Sequence, residues 1–312
     1  MNASAPEAAP LRVAVTGSTG LIGSALVPTL RAEGHRVVRL VRSRVEAGSG
    51  DVLWDPAKEE VDAAGLEGLD AVVHLAGENV GKPWSAAQKV RIRESREKGT
   101  RTLARALARL KQPPKVLVSA SATGYYGDRG DEVLDESAGN GTGFLAEVCR
   151  VWEAEAQPAR DAGIRVVHPR IAVVLSREGG ALEKMLLPFR LGVGGKVGSG
   201  KQWMSWVELD DVVEAIRFAL RREEVEGPVN LTAPNPVTNE EFTRTLGRVL
   251  GRPTLLPVPG FALKLALGEM AEETVLASQR AVPDRLTKAG FRFRYPEIEG
   301  ALRAVLGKQD RL

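Results

Sequence analysis

Cysteine occurs once in the 312 residues. No disulfide can close within the chain, and Cys149, set in an apolar helical pattern, reads as a buried structural thiol suited to a reducing cytoplasm. Histidine is almost as scarce: His35, His74 and His168 are far apart and each falls in a strand-like run, so no zinc ligand set can be assembled and no metal is expected. No apolar run reaches the roughly 18 residues of a membrane-spanning helix. Residues 1–10 have neither a basic start nor an apolar core, and are expected to be a short disordered tail rather than a secretion signal. A surplus of one charge is missing too. The 43 Lys+Arg and 40 Asp+Glu leave a formal charge of +3, with the basic residues scattered, which gives nucleic-acid binding no footprint. What remains is an ordinary soluble composition, 43% hydrophobic and 27% charged, in a chain long enough for one large or two modest domains.

Short apolar runs at 11–16, 36–41, 70–76, 115–119 and 165–175 alternate with helical periods such as 85–110 and 143–163. This βαβ repetition predicts a doubly wound parallel α/β sheet of Rossmann type, with its ligand at the carboxyl ends of the strands. Pro28 should kink the first helix or shift its start. Beyond residue 176 glycines and prolines multiply, which predicts a smaller, interleaved substrate lobe. The expected division is 11–175 for the dinucleotide-binding domain, with 207–232 returning to it, and 176–206 plus 233–312 for the lobe. Gly290–Tyr295 alternates as a short strand would.

Val13-Ala14-Val15-Thr16-Gly17-Ser18-Thr19-Gly20-Leu21-Ile22-Gly23 places three glycines between a β-branched run and an amphipathic pattern. A chain leaving a strand there must turn sharply, bring bare backbone to a pyrophosphate and pack the first helical turn on the strand. The helix N-terminus adds free N–H groups. The next strand ends at Val41, where an NAD site would carry an acid; Arg42, Ser43 and Arg44 follow instead. Arg42 and Ser43 suit a 2′-phosphate, which favours NADP(H), unless Arg42 is only a solvated strand-end cation. Trp54 and Asp55, after the third strand, lie where adenine is expected.

With these residues in view, the chain resembles the extended short-chain dehydrogenase/reductase superfamily, which includes nucleotide-sugar epimerases and dehydratases. Gly17, Gly20 and Gly23 match its cofactor loop, His74-Leu75-Ala76-Gly77 its turn beside the cofactor, and Val118 to Gly127 its strand-five serine segment. The resemblance implies that Leu75, Ala76, Gly77, Asn79, Ser119 and Ala120 join Thr16, Ser18, Thr19, Leu21 and Ile22 around the cofactor. Gly180 to Phe189, Gly200 to Trp206 and Gly268-Glu269-Met270-Ala271 are similar to epimerase-family proteins of ill-defined function with a C-terminal domain of unknown function. Glu208 departs from the histidine expected in such relatives. By analogy, relatives pair as homodimers through the helices at 85–110 and 143–163.

The superfamily's chemistry uses a tyrosine and a lysine four residues on, aided by serine. Ser121 can be the serine, but the tyrosine and lysine positions fall near Phe144 or Leu145 and Val148 or Cys149. The chain has three tyrosines, Tyr125, Tyr126 and Tyr295, none in that helix. Two readings follow. One is an NADP(H)-dependent oxidoreductase or epimerase-like enzyme acting on an unknown small molecule, its proton relay rebuilt from Ser121, Tyr125, Tyr126 and Lys184. The other is a cofactor-binding sensor without turnover. Gln202, Trp203 and Ser205 could line a substrate pocket or pack the lobe interface, and Arg170 could bind an anion or make a structural ion pair.

Overall fold

The structure is a computed structural model that describes residues 9–42, 45 and 48–307. The expected tail therefore lies almost wholly outside the described residues, as do Ser43 and Arg44. In chain order the first half holds β1 (Arg12–Thr16), α1 (Leu21–Ala32), β2 (Arg36–Val41), β3 (Val52–Asp55), β4 (Glu60–Val61), β5 (Ala71–His74), α2 (Ala86–Leu107), β6 (Val116–Ser119), β7 (Ser121–Ala122), β8 (Val133–Leu134), α3 (Phe144–Ala154), α4 (Gln157–Asp161) and β9 (Arg165–Ile171). The second half holds β10 (Val173–Leu175), α5 (Gly180–Arg190), β11 (Trp203–Met204), β12 (Trp206–Glu208), α6 (Leu209–Arg221), β13 (Gly227–Leu231), β14 (Val237–Thr238), α7 (Asn239–Leu250), α8 (Gly260–Leu267), β15 (Arg280–Ala281), α9 (Asp284–Lys288) and α10 (Ile298–Val305).

The central sheet runs β13-β9-β6-β5-β1-β2-β3-β4, parallel throughout except for β4. Its strands are buried on both faces, so they read as continuous apolar runs, and the two-residue period sorts side chains between layers. Val13 and Val15 pack with Leu26, Leu30, Val212 and Ile216 on the α1/α6 side. Ala14, Val72, Leu117 and Val166 pack with Leu103, Leu107 and Ala159 on the α2/α4 side. A third core around Trp206 joins Leu182, Leu186, Phe242, Leu246 and Leu302 from α5, α7 and α10.

Three local expectations are corrected. Helix α1 starts at Leu21, directly after the glycine turn, so Pro28 does not shift its start and lies inside the helix. The period at 143–163 divides into α3 and α4, because Pro158 has no N–H to continue α3. Residues 290–295 form no strand. Their alternation serves Phe218–Phe291–Phe293 edge-to-face packing, while the N–H groups of Arg294 and Tyr295 donate to the Asp211 carboxylate at 2.7 and 3.0 Å.

Candidate active site

The turn between β1 and α1 is held by close backbone approaches. Gly17 has φ +66°, and a Cβ there would lie 2.9 Å from the backbone of Leu75 and Ala76. A Cβ on Gly23 would run into the Gly17 carbonyl. Gly20 faces open space apart from that same carbonyl at 3.3 Å, and Thr19 beside it is exposed. No side chain caps α1 and its first turn holds no acid, so its N–H groups stay available to an anion. Leu21 lies 3.4 Å from the position of a Cβ on Gly179, so the loop before α5 borders the turn.

Thr16 is not at the surface of this cradle. It is fully buried, its Oγ1 accepts from the N–H groups of Leu75 and Ala76 at 3.0 and 3.1 Å, and it lies 2.8 Å from Nδ1 of His74. A hydroxyl that accepts twice has only its proton left to give, so it donates to Nδ1 and the His74 proton sits on Nε2, facing Thr100 Oγ1 at 3.1 Å. Burial, with Arg96 nearby, takes His74 down to about 4, which keeps it neutral. Thr16 thus locks the ends of β1 and β5 together and positions the Leu75–Gly77 loop. Gly77 sits over the Arg96 guanidinium, and Asn79 Oδ1 accepts from Gly81 N at 2.8 Å in its own turn. At the end of β6, Ser119 is fully buried with an unpartnered Oγ, and Ala120 N donates to the His74 carbonyl.

The expectation for the adenine end is corrected in part. Trp54 is buried, edge-on to His74 at 5.5 Å, and presents no open ring. Asp55 Oδ1 accepts from Ala57 and Lys58 N–H. Arg42 is exposed and, among the described residues, makes no ion pair.

The serine segment gathers a network whose central member the sequence did not reveal. Ser121 Oγ donates to Glu153 Oε1 at 2.7 Å, and the same carboxylate takes Nε and Nη2 of Arg170, each at 2.9 Å. Arg170 also donates to Tyr126 Oη at 3.0 Å, which is 2.7 Å from Asn230 Oδ1. Arg170, Ser121 and Tyr126 are 3%, 2% and 0% exposed; Arg170 is spent on Glu153 and Tyr126 on Asn230, which makes Arg170 a structural ion-pair cation and Tyr126 a core phenol. Burial works against the Arg170 charge, but Glu153 outweighs it and holds the proton more firmly than usual. Burial, only partly offset by Arg170, pushes the Tyr126 phenol upward. Tyr125 is half-buried with the guanidinium 3.5 Å from its ring centre, and its hydroxyl has no hydrogen-bond partner among the described residues.

Helix α3 brings no proton relay of the usual kind. Burial pushes the Cys149 thiol up to about 11. The N–H groups of Phe144 and Leu145 donate to Glu273 from the C-terminal segment at 2.6 and 2.7 Å, so that carboxylate caps α3 where the superfamily tyrosine would stand. The remaining pocket candidates are engaged within the fold. Ser205 is buried between the Gln279 carbonyl and Ala281 N–H, Gln202 Nε2 donates to the carbonyls of Val197 and Val275, and Trp203 Nε1 donates to Asp131. Lys184 Nζ reaches across to the Gly81 carbonyl at 2.8 Å.

Glu208 gains a role here: its Oε2 accepts from Asp210 and Asp211 N–H as the N-cap of α6. Burial, reinforced by Asp210, raises its carboxyl from 4.5 to about 7. The folded protein then binds the proton more tightly than the unfolded chain, so stability falls as pH rises from 4.5 to about 7. Glu208→Gln is expected to remove the Glu208 share of that slope, on the order of 2–3 kcal/mol, in urea unfolding across this window, leaving the part set by the other raised carboxyls, Glu136, Asp211 and Glu214. An unchanged slope would assign the titration elsewhere.

The fold and this glycine turn define a dinucleotide-binding α/β protein. Residues 13–231 match the NAD dependent epimerase/dehydratase family, and residues 258–305 match a domain of unknown function (DUF1731). The chain belongs to that epimerase/dehydratase family. Epimerase family protein Mb2239 of Mycobacterium bovis is 47% identical over 291 residues, covering 93% of this chain and 96% of that protein. A crystal structure of human epimerase family protein SDR39U1 (isoform 2) with NADPH superposes with TM-score 0.87 at 35% identity, over 96% of this chain and 100% of that one. A nucleoside-diphosphate sugar epimerase from Corynebacterium glutamicum gives TM-score 0.79 at 40% identity, over 96% of this chain, which spans 59% of that longer protein.

Proposed function

We propose that this protein binds NADP(H) along the Gly17–Gly23 turn and interconverts an alcohol and a carbonyl on a small-molecule substrate, as an oxidoreductase or epimerase-like enzyme. The observation that carries the reading is the Ser121–Glu153 hydrogen bond just past the end of β6, beside the cofactor cradle. The residues fit the dinucleotide: uncapped α1 N–H groups for the diphosphate, Ser18 and Thr19 at its rim, and Arg42 for a 2′-phosphate. When bound, the cofactor supplies or accepts the hydride.

The chain's own part is the proton. Ser121 is 2% exposed and has to be uncovered as substrate binds; it then accepts the substrate hydroxyl proton as it passes its own to Glu153, and returns it in the reverse direction, while Arg170 keeps Glu153 fixed. Tyr125 is the accessible phenol beside this relay. The same proposal places the protein in the cytoplasm, as a homodimer through α2 and α3. A second reading, cofactor binding without turnover, is favoured by the apolar residues that α3 carries at the usual tyrosine and lysine positions.

Arg42→Ala tests the choice of dinucleotide. Calorimetry is expected to show NADPH binding about tenfold weaker, with NADH binding unchanged. Equal loss for both would remove Arg42 from the 2′ position.

A further inference from the structure

Arg96, on α2, is half-buried between the cofactor loop and α3. Its guanidinium carbon is 3.1 Å from the position of a Cβ on Gly77, so the bare glycine leaves room for the cation. The Trp152 ring of α3 has its centre 4.8 Å from the same carbon. Cys149, about one turn before Trp152, is near enough for the Arg96 charge to offset part of the rise that burial imposes on its thiol. Cys149 Sγ in turn lies 3.9 Å from the position of a Cβ on Gly124, three residues after Ser121. The cation is therefore set between the loop that borders the cofactor and the segment that carries the proposed relay.

Among the described residues nothing neutralises it. Nη1 donates to the carbonyls of Glu78 and Ile92 at 3.0 and 3.1 Å, which are dipoles and not charges. The Glu78 carboxylate is taken by Lys82 Nζ at 2.8 Å and Gln88 Nε2 at 3.2 Å, and Cys149, raised to about 11, is a neutral thiol. Arg96 Nε and Nη2 have no hydrogen-bond partner among the described residues, yet neither is sealed from solvent. That unused edge is the one by which Arg101 takes Glu155, at 2.7 and 2.6 Å, and Arg170 takes Glu153. Its two parallel N–H groups match a planar carboxylate. A cation held away from bulk water without a counter-charge destabilises the fold, and a bound anion removes that cost. The cofactor's phosphates already have partners at the start of α1 and at Arg42 in the reading above, which leaves the substrate to bring the carboxylate.

We propose that the Nε and Nη2 edge of Arg96 binds a carboxylate carried by the substrate, so that the carbonyl compounds this chain accepts are oxo acids. This rests on the reading that NADP(H) binds along the Gly17–Gly23 turn and that the substrate carries a carbonyl. The test is calorimetric titration of the NADP⁺-loaded protein with pyruvate and with phenylglyoxylate, each against its methyl ester. The oxidised cofactor cannot reduce them, so binding is read apart from turnover. The acids are expected to bind at least about tenfold more tightly than the esters. Arg96→Gln is expected to erase that preference while NADP⁺ affinity and Tm stay near the wild-type values. Arg96→Lys, which keeps the charge but not the fork, should recover part of it. Wild-type protein that binds the acids no more tightly than the esters overturns the proposal without recourse to any variant, and a folded Arg96→Gln protein that keeps the preference overturns it too. So does a loss of NADP⁺ affinity in Arg96→Gln as large as the loss of acid affinity, which would assign the cation to the cofactor. Preferential acid binding by a protein that oxidises no NADPH would uphold the Arg96 assignment and remove the turnover reading alone.

Discussion

Gly23→Ala is expected to weaken NADPH binding by on the order of a hundredfold or more, with a loss of several kcal/mol in stability. The added methyl has no room, because it meets the backbone carbonyl of Gly17 rather than a flexible side chain. Relief requires moving the first turn of α1 away from β1, and that displaces the free N–H groups on which the diphosphate is to sit. Gly20→Ala is the internal control: its Cβ meets only that carbonyl at 3.3 Å, so it should perturb the fold little and affect binding through the open face alone. Calorimetric titration and thermal melting of both variants separate the effects. Near-native NADPH affinity in Gly23→Ala would mean that the turn is not where the cofactor binds.

Glu153→Ala is expected to cost about 3–5 kcal/mol and to lower Tm by roughly 5–8 °C. The loss does not measure what the ion pair contributes; it measures the Arg170 guanidinium left 3% exposed without a counter-charge. Replacing both partners by apolar residues, Glu153→Leu with Arg170→Met, should recover much of that stability. Ser121 would still lack its acceptor, so turnover should stay low in the double variant. A double variant as unstable as the single one would show that the network is needed for packing and not only for charge balance.

The parts of the fold that rest on local physics were legible in the sequence. The two-residue period of Val13, Ala14 and Val15 and the glycines at 17, 20 and 23 describe a backbone that can be built from neighbours alone. The site's decisive partners come from far along the chain. Glu153 meets Ser121 across 32 residues, and Glu273 meets the start of α3 across 129. In one dimension both are helix acids like any other. Glu153 had a faint signal, since it shares the helix that should carry the missing tyrosine and lysine. The same distance effect leaves Arg170 and Ser205 open between two roles in the sequence and hides the role of Tyr126: in the structure they are spent on Glu153, on the backbone of Gln279 and Ala281, and on Asn230. Its position at the end of β1 points Thr16 to the cofactor, but its hydroxyl is consumed by His74 and two backbone N–H groups.

The central claim is that a proton relay of Ser121 and Glu153 lets this chain turn over NADP(H) without the tyrosine and lysine. The most direct measurement is the nicotinamide absorbance of protein-bound NADPH mixed with a carbonyl library, in wild type and Ser121→Ala. The account predicts oxidation by at least one carbonyl class in the wild type. In Ser121→Ala it predicts a rate lower by about a hundredfold at unchanged NADPH affinity. Tight NADPH binding with no oxidation by any carbonyl, or equal rates in the two proteins, would contradict it.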